Sequence, residues 1–104
     1  MKKLTTEDFL KTITESQKPV VLELYSPFCP VCKKLAPIYE EIAQELGATY
    51  EFMQANVIDH PDIAKHFNMR VAPAILFIKD SAVVDKVYGC LEKNALIEKL
   101  KSAL

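Results

Sequence analysis

The spacing of apolar positions changes repeatedly along the chain, and each change predicts an element. Phe9 and Ile13, four apart, form the stripe of a first helix. Thr5-Thr6-Glu7-Asp8 predicts its start, a hydroxyl cap followed by acids that suit the positive helix end. Pro19 then opens Val20-Val21-Leu22-Glu23-Leu24-Tyr25, a nearly continuous apolar run with the look of a central strand covered on both faces. From Cys29 to Leu46 the period is helical again: Leu35, Ile38, Tyr39, Ile42 and Leu46 recur at three and four, and Gly47 supplies the stop. Pro37 lies inside that helix and leaves the Lys33 carbonyl without its usual donor, so a kink is expected.

Tyr50 to Val57 predicts a second strand. Asp59 and Pro61 start a short helix through Ile63, Ala64 and Phe67, with Asn68 as a left-handed stop and His60 and His66 on its surface or lead-in. Ala74 to Ile78 and Val83 to Tyr88 predict two strands joined at Asp80-Ser81 as a hairpin. Leu96, Ile97, Leu100 and Leu104 mark a last amphipathic helix whose stripe belongs to the core. With room for a short strand at Met1–Leu4, the expected fold is α/β, a mixed four- to five-stranded sheet flanked by helices on both faces.

Composition narrows the classes. A chain of 104 residues has material for one core, so residues 1–104 are expected to form one domain. Thirteen Lys and Arg against 14 Asp and Glu give no electrostatic reason to expect nucleic acid or an anionic membrane as partner. The longest apolar stretch, Val71 to Ile78, holds a proline and is too short to span a bilayer. Met1-Lys2-Lys3-Leu4 is followed by polar residues rather than an apolar stretch, so export is not expected and a cytoplasmic location is. There are three cysteines, an odd number, and in a reducing compartment a Cys-x-x-Cys pair means redox catalysis or metal binding more often than a structural bridge.

Cys29-Pro30-Val31-Cys32 follows the predicted central strand and opens the longest helix. A thiolate at a helix N-terminus meets unpaired N–H groups and the positive end of the dipole, and both favour its charge. Cys29 is expected at the cap, facing the N–H groups of Val31 and Cys32, with Pro30 in the first turn where its missing donor is no loss. Cys32, one turn in, reaches Cys29 but is less exposed. The pair thus divides into an attacking thiolate and a resolving thiol. A zinc site would need two more ligands from Cys90, His60 and His66, and these form no second close pair, so no metal is expected. Glu23, flanked by Leu22 and Leu24, is either a buried acid with a raised pKa or a solvent-facing acid on an edge strand.

These segments resemble the thioredoxin family over nearly the whole chain. The likeness is carried by Val20–Tyr25, Phe28-Cys29-Pro30-Val31-Cys32-Lys33, Pro37, Val71-Ala72-Pro73-Ala74 and Gly89, in matching register. It implies a protein-disulfide reductase acting by dithiol exchange: Cys29 attacks, Cys32 resolves, and Glu23, matching the family's buried acid, takes the Cys32 proton. It implies a cis-proline at Pro73 facing the disulfide, and substrate contacts at Phe28, Pro30, Val31, Ala72, Pro73 and Gly89. No cofactor is expected. The implied partners are protein disulfides and a thioredoxin-reductase-like flavoenzyme, and the chain is expected to be a monomer. Pro30-Val31 replaces the family's usual Gly-Pro, and its leading proline resembles glutaredoxins, so a glutaredoxin-like or dedicated-partner reductase is the alternative enzyme. A binding module with an idle cysteine pair is the non-enzymatic one. Tyr25 and Phe28 stand for the usual tryptophans, Gln54 for a lysine beside the acid, and Ser81 for a turn glycine. Cys90, just after Gly89, is either a slow second redox handle beside the groove or a buried small apolar residue.

Overall fold

The computed structural model describes residues 1–104. The chain folds in the order β1 (Lys2–Lys3), α1 (Phe9–Glu15), β2 (Val20–Tyr25), α2 (Pro30–Leu46), β3 (Glu51–Asn56), α3 (Pro61–His66), β4 (Ala74–Lys79), β5 (Ala82–Tyr88) and α4 (Lys93–Ala103). The strands lie side by side as β1-β3-β2-β4-β5. β1 and β2 run parallel to β3, while β4 is antiparallel to both β2 and β5. The mixed sheet of four to five strands expected from the sequence is therefore present, with five.

Strand periodicity sorts the core into two layers. Leu22, Leu24, Leu76 and Ile78 project to one side and pack with Phe9 and Ile13 of α1 and Ile63 of α3. Val21, Phe52, Ile75 and Phe77 project to the other, against Leu35, Tyr39 and Ile42 of α2 and Leu96 and Leu100 of α4. β2 is buried on both faces because it lies at the centre of the order, which is why its sequence hardly alternates. Each fully buried Leu or Ile here stabilises the fold by about 1.5–3 kcal/mol.

Helix ends and turns show where local chemistry held. Asn68 has φ 52° after α3, the left-handed stop expected of it. Asp80 and Ser81 have φ 52° and 65°, so the β4–β5 hairpin turns through two left-handed residues. α2 runs through Pro37 as one helix. Gly47 follows it in a right-handed conformation, φ −65°. Its lack of a side chain matters for a different reason than left-handedness: a Cβ there would stand 2.6 Å from the Ala43 carbonyl oxygen. The hydroxyl cap expected at the start of α1 is corrected. Thr5–Asp8 forms a preliminary turn in which the Asp8 carboxylate accepts the Thr5 N–H at 2.8 Å, and the helix begins at Phe9.

Candidate active site

The C-terminal ends of β2 and β3, the N-terminus of α2 and the entry to β4 meet at one end of the sheet. After Tyr25 the chain must turn from the central strand into α2, and Ser26 organises that turn. Its hydroxyl accepts the Phe28 N–H at 3.2 Å and its carbonyl accepts the Cys29 N–H at 3.3 Å. Cys29 is the N-cap of α2, in extended conformation, with Pro30 in the first turn. Its Sγ accepts the Cys32 N–H at 3.3 Å, and its thiol points to the Ala72 carbonyl at 3.7 Å.

The two cysteines sit in opposed environments. The Cys32 thiol, the Cys32 N–H and the Val31 N–H all favour negative charge on Cys29, and its pKa is lowered. Cys32 is 3% exposed, and burial above all pushes its pKa up to about 11. Both stand as free thiols. The arrangement can present a reactive thiolate at the surface with a protonated thiol one helical turn behind it.

Glu23 is buried, at 1% exposure, which removes the alternative of a solvent-facing edge acid. Its neighbour across the ladder is Gln54, whose amide donates to Glu23 Oε1 at 2.9 Å. Burial raises the carboxyl's pKa, and the amide offsets this only in part, being neutral. The Glu23 charge in turn helps to hold the Cys32 proton in place. On the same side of the sheet the buried Tyr39 hydroxyl lies 2.8 Å from the carbonyl oxygens of both Val21 and Met53.

Of the other candidate residues, Ala72 touches a sulfur directly, and Pro73 and Gly89 adjoin it. The Ala72–Pro73 peptide bond is cis, as the resemblance implies, with Ala72 half-buried and Pro73 buried. Gly89 has φ 83°, where a side chain is disfavoured, and its N–H donates to the Pro73 carbonyl at 3.0 Å. Phe28 is 76% exposed, and Pro30 and Val31 are exposed beside it. Cys90 is half-buried, packed against the α4-side core, with its thiol directed to the Leu91 carbonyl at 3.7 Å. His60 lies apart from the sulfurs' immediate partners: its Nδ1 accepts the Thr6 N–H at 3.1 Å, while His66 packs edge-on to Phe9.

Three site features escaped the sequence. Ser26 carries no motif, but a hydroxyl directly after a strand and just before Pro27 is a turn signal. Tyr39 counted only as an apolar position; a phenol in an otherwise aliphatic stripe was the available clue. Val71, exposed next to Ala72, counted only as part of the segment leading to Pro73, with no contact role of its own.

Comparison with known proteins agrees with this geometry. The thioredoxin family model matches residues 1–102. The chain belongs to the thioredoxin family. It is 34% identical to the thioredoxin of Mycoplasmoides gallisepticum over 97% of this chain and 100% of that one. It is 30% identical to thioredoxin 1 of Synechococcus elongatus over 97% of this chain and 94% of that one. A thioredoxin of Chlorobaculum thiosulfatiphilum is 31% identical over 92% of this chain and 89% of its own. As a thioredoxin-family member with its Cys29–Cys32 pair in place, the chain is a thiol–disulfide oxidoreductase of the protein-disulfide reductase type. Family membership brings protein substrates and a reductase partner in general terms. No helix is long and apolar enough to cross a membrane.

Proposed function

We propose that Cys29 is the nucleophile, Cys32 the resolving thiol and Glu23 the proton acceptor of a cytoplasmic, monomeric protein-disulfide reductase in which residues 1–104 act as one domain. The Cys29 thiolate attacks a substrate disulfide, forming a mixed disulfide and releasing one substrate thiolate, which takes a proton from water. Cys32 then gives its proton to the ionised Glu23 carboxylate and attacks the Cys29 sulfur. The second substrate thiolate leaves, and the enzyme is left with a Cys29–Cys32 disulfide. Two electrons from a thioredoxin-reductase-like flavoenzyme restore the dithiol. Phe28, Pro30, Val31, Ala72, Pro73 and Gly89 form the surface on which the substrate chain lies.

The observation that carries this assignment is the split between the two sulfurs: one at a helix cap with its pKa lowered, the other buried and raised to about 11. Wild-type protein should reduce insulin with dithiothreitol as electron source. Cys29→Ser should abolish the activity, and Cys32→Ser should accumulate mixed disulfides. Absence of insulin reduction by the wild type contradicts the assignment. Pro30 favours the glutaredoxin-like alternative, and turnover with glutathione rather than NADPH plus a thioredoxin reductase would select it.

A further inference from the structure

The sheet is not covered evenly. On the side where α1 and α3 pack, their helices shield β1, β3, β2 and part of β4, and β5 lies beyond them at the edge. Lys86 and Tyr88 stand opposite Leu76 and Ala74 in the β4–β5 ladder and so share their face, but both are exposed. A β-bulge at Phe77/Ile78 leaves Val83 and Val84 together facing about one residue of β4, and both line the same open trough. Leu76 forms its floor and Phe67, just after α3, one wall, enclosing about 520 Å³. Val83, Val84 and Tyr88 are 42%, 49% and 46% exposed, an apolar strip on an otherwise polar edge.

Two further observations say what this strip is for. It is continuous with the sulfur site: Tyr88 pairs with Ala74, and the next residue, Gly89, donates its N–H to Pro73. Its charge is also one-sided. Asp85 also lines the trough, but its carboxylate is already engaged by Lys99 at 3.1 Å and by the Lys86 N–H at 2.8 Å. Lys86 has no carboxylate partner and lies over the Tyr88 ring at 5.7 Å.

We propose that this trough is an extension of the substrate site. It would hold an extended stretch of the substrate protein that carries an apolar side chain and a carboxylate, the apolar group on Val83, Val84 and Leu76 and the carboxylate on Lys86. Val84 is four residues from Tyr88, about 13 Å along the strand, so the stretch lies about four to six residues from the target cysteine. The inference rests on the reductase assignment and deepens it.

The test uses fluorogenic disulfide peptides, and kcat/KM is the readout. One peptide is short. The others are extended by six residues bearing Leu and Glu, or Leu and Lys, on the N-terminal or the C-terminal side of the cysteine. One of the Leu–Glu extensions should be reduced about five- to tenfold faster than the short peptide. Lys86→Glu should abolish that gain and pass the preference to the corresponding Leu–Lys peptide, leaving the short peptide's rate unchanged. Equal rates for all peptides with wild type, or a gain that survives Lys86→Glu, would overturn the proposal while leaving the reductase assignment standing. No turnover of even the short peptide would instead bring down that assignment, and the trough's role with it. If Val84→Ser changes the sedimentation of the protein without any peptide, the trough is a contact between copies of the chain and the proposal is wrong.

Discussion

The two faces of the sheet are built from the same strands and serve opposite ends. Toward α1 and α3, β2 offers Val20, Leu22 and Leu24, and the buried cluster on that side contains only apolar side chains. Toward α2 and α4 the same strand offers Val21 and then Glu23, facing a helix that carries Cys32 and the Tyr39 hydroxyl. One face is given wholly to apolar packing. The other tolerates a buried acid and a buried thiol whose charged forms its surroundings disfavour. A single shift of β2 by one residue would exchange the two, so the register with Gln54 and Ile75 is as much a feature of the site as the cysteines are.

This division predicts effects that separate stability from chemistry. The largest stability loss belongs to the apolar face. Leu22→Ala should cost about 2–5 kcal/mol in urea denaturation, with activity per folded molecule close to wild type. A Leu22→Ala protein that keeps its stability but loses turnover would break the comparison.

Glu23→Gln should do the reverse. Release of the mixed disulfide at neutral pH should slow by about a hundredfold, because the amide cannot accept the Cys32 proton. Stability should rise. The folded-state pKa of Glu23 lies above its unfolded value, so over that interval the folded protein holds a proton that the unfolded chain has lost. Wild-type stability therefore falls as pH rises through the interval, and Glu23→Gln removes that fall. Denaturation midpoints of both proteins across the acid-to-neutral range measure the difference; parallel curves would mean that Glu23 is no less comfortable as a carboxylate in the fold than in water.

Tyr39→Phe is a finer probe of the same face. It removes the hydroxyl shared by the Val21 and Met53 carbonyls, which already take part in the β2–β3 ladder, and should cost roughly 1 kcal/mol. Loss of several kcal/mol would show that the hydroxyl holds the acid's strand in place. The smallest effect lies away from both faces. Ser81→Gly relieves a left-handed residue at φ 65° and should stabilise the protein by roughly 0.5–1 kcal/mol without altering reduction kinetics.

Much of this was legible from residue order because it rests on local chemistry. The nearly continuous apolar run of β2, the hairpin at Asp80-Ser81, the stop at Asn68 and the cap position of Cys29 all follow from the habits of a few neighbouring residues. The sequence also led to Glu23 as a candidate, because an acid between Leu22 and Leu24 has few places to go. What stayed hidden depends on contacts far along the chain. No side chain caps α1 as the threonines were expected to; the Asp8 carboxylate instead closes a turn on the Thr5 N–H, a choice between two acceptable local partners. The Tyr39 phenol finds carbonyls 18 and 14 residues away, and periodicity can place its ring but not its hydroxyl. The open face of β5 follows from the strand order and the reach of α3, neither of which a single strand's pattern contains.

The unequal treatment of the two sulfurs is the centre of the account, and alkylation against pH tests it most directly. Native protein is treated with iodoacetamide across the pH range, and mass spectrometry locates each modified cysteine. Cys29 should react with a midpoint below the free-thiol value of about 8.5, while Cys32 stays protected until its own titration near 11. Cys29 and Cys32 reacting together, with one midpoint at the ordinary thiol value, would contradict it.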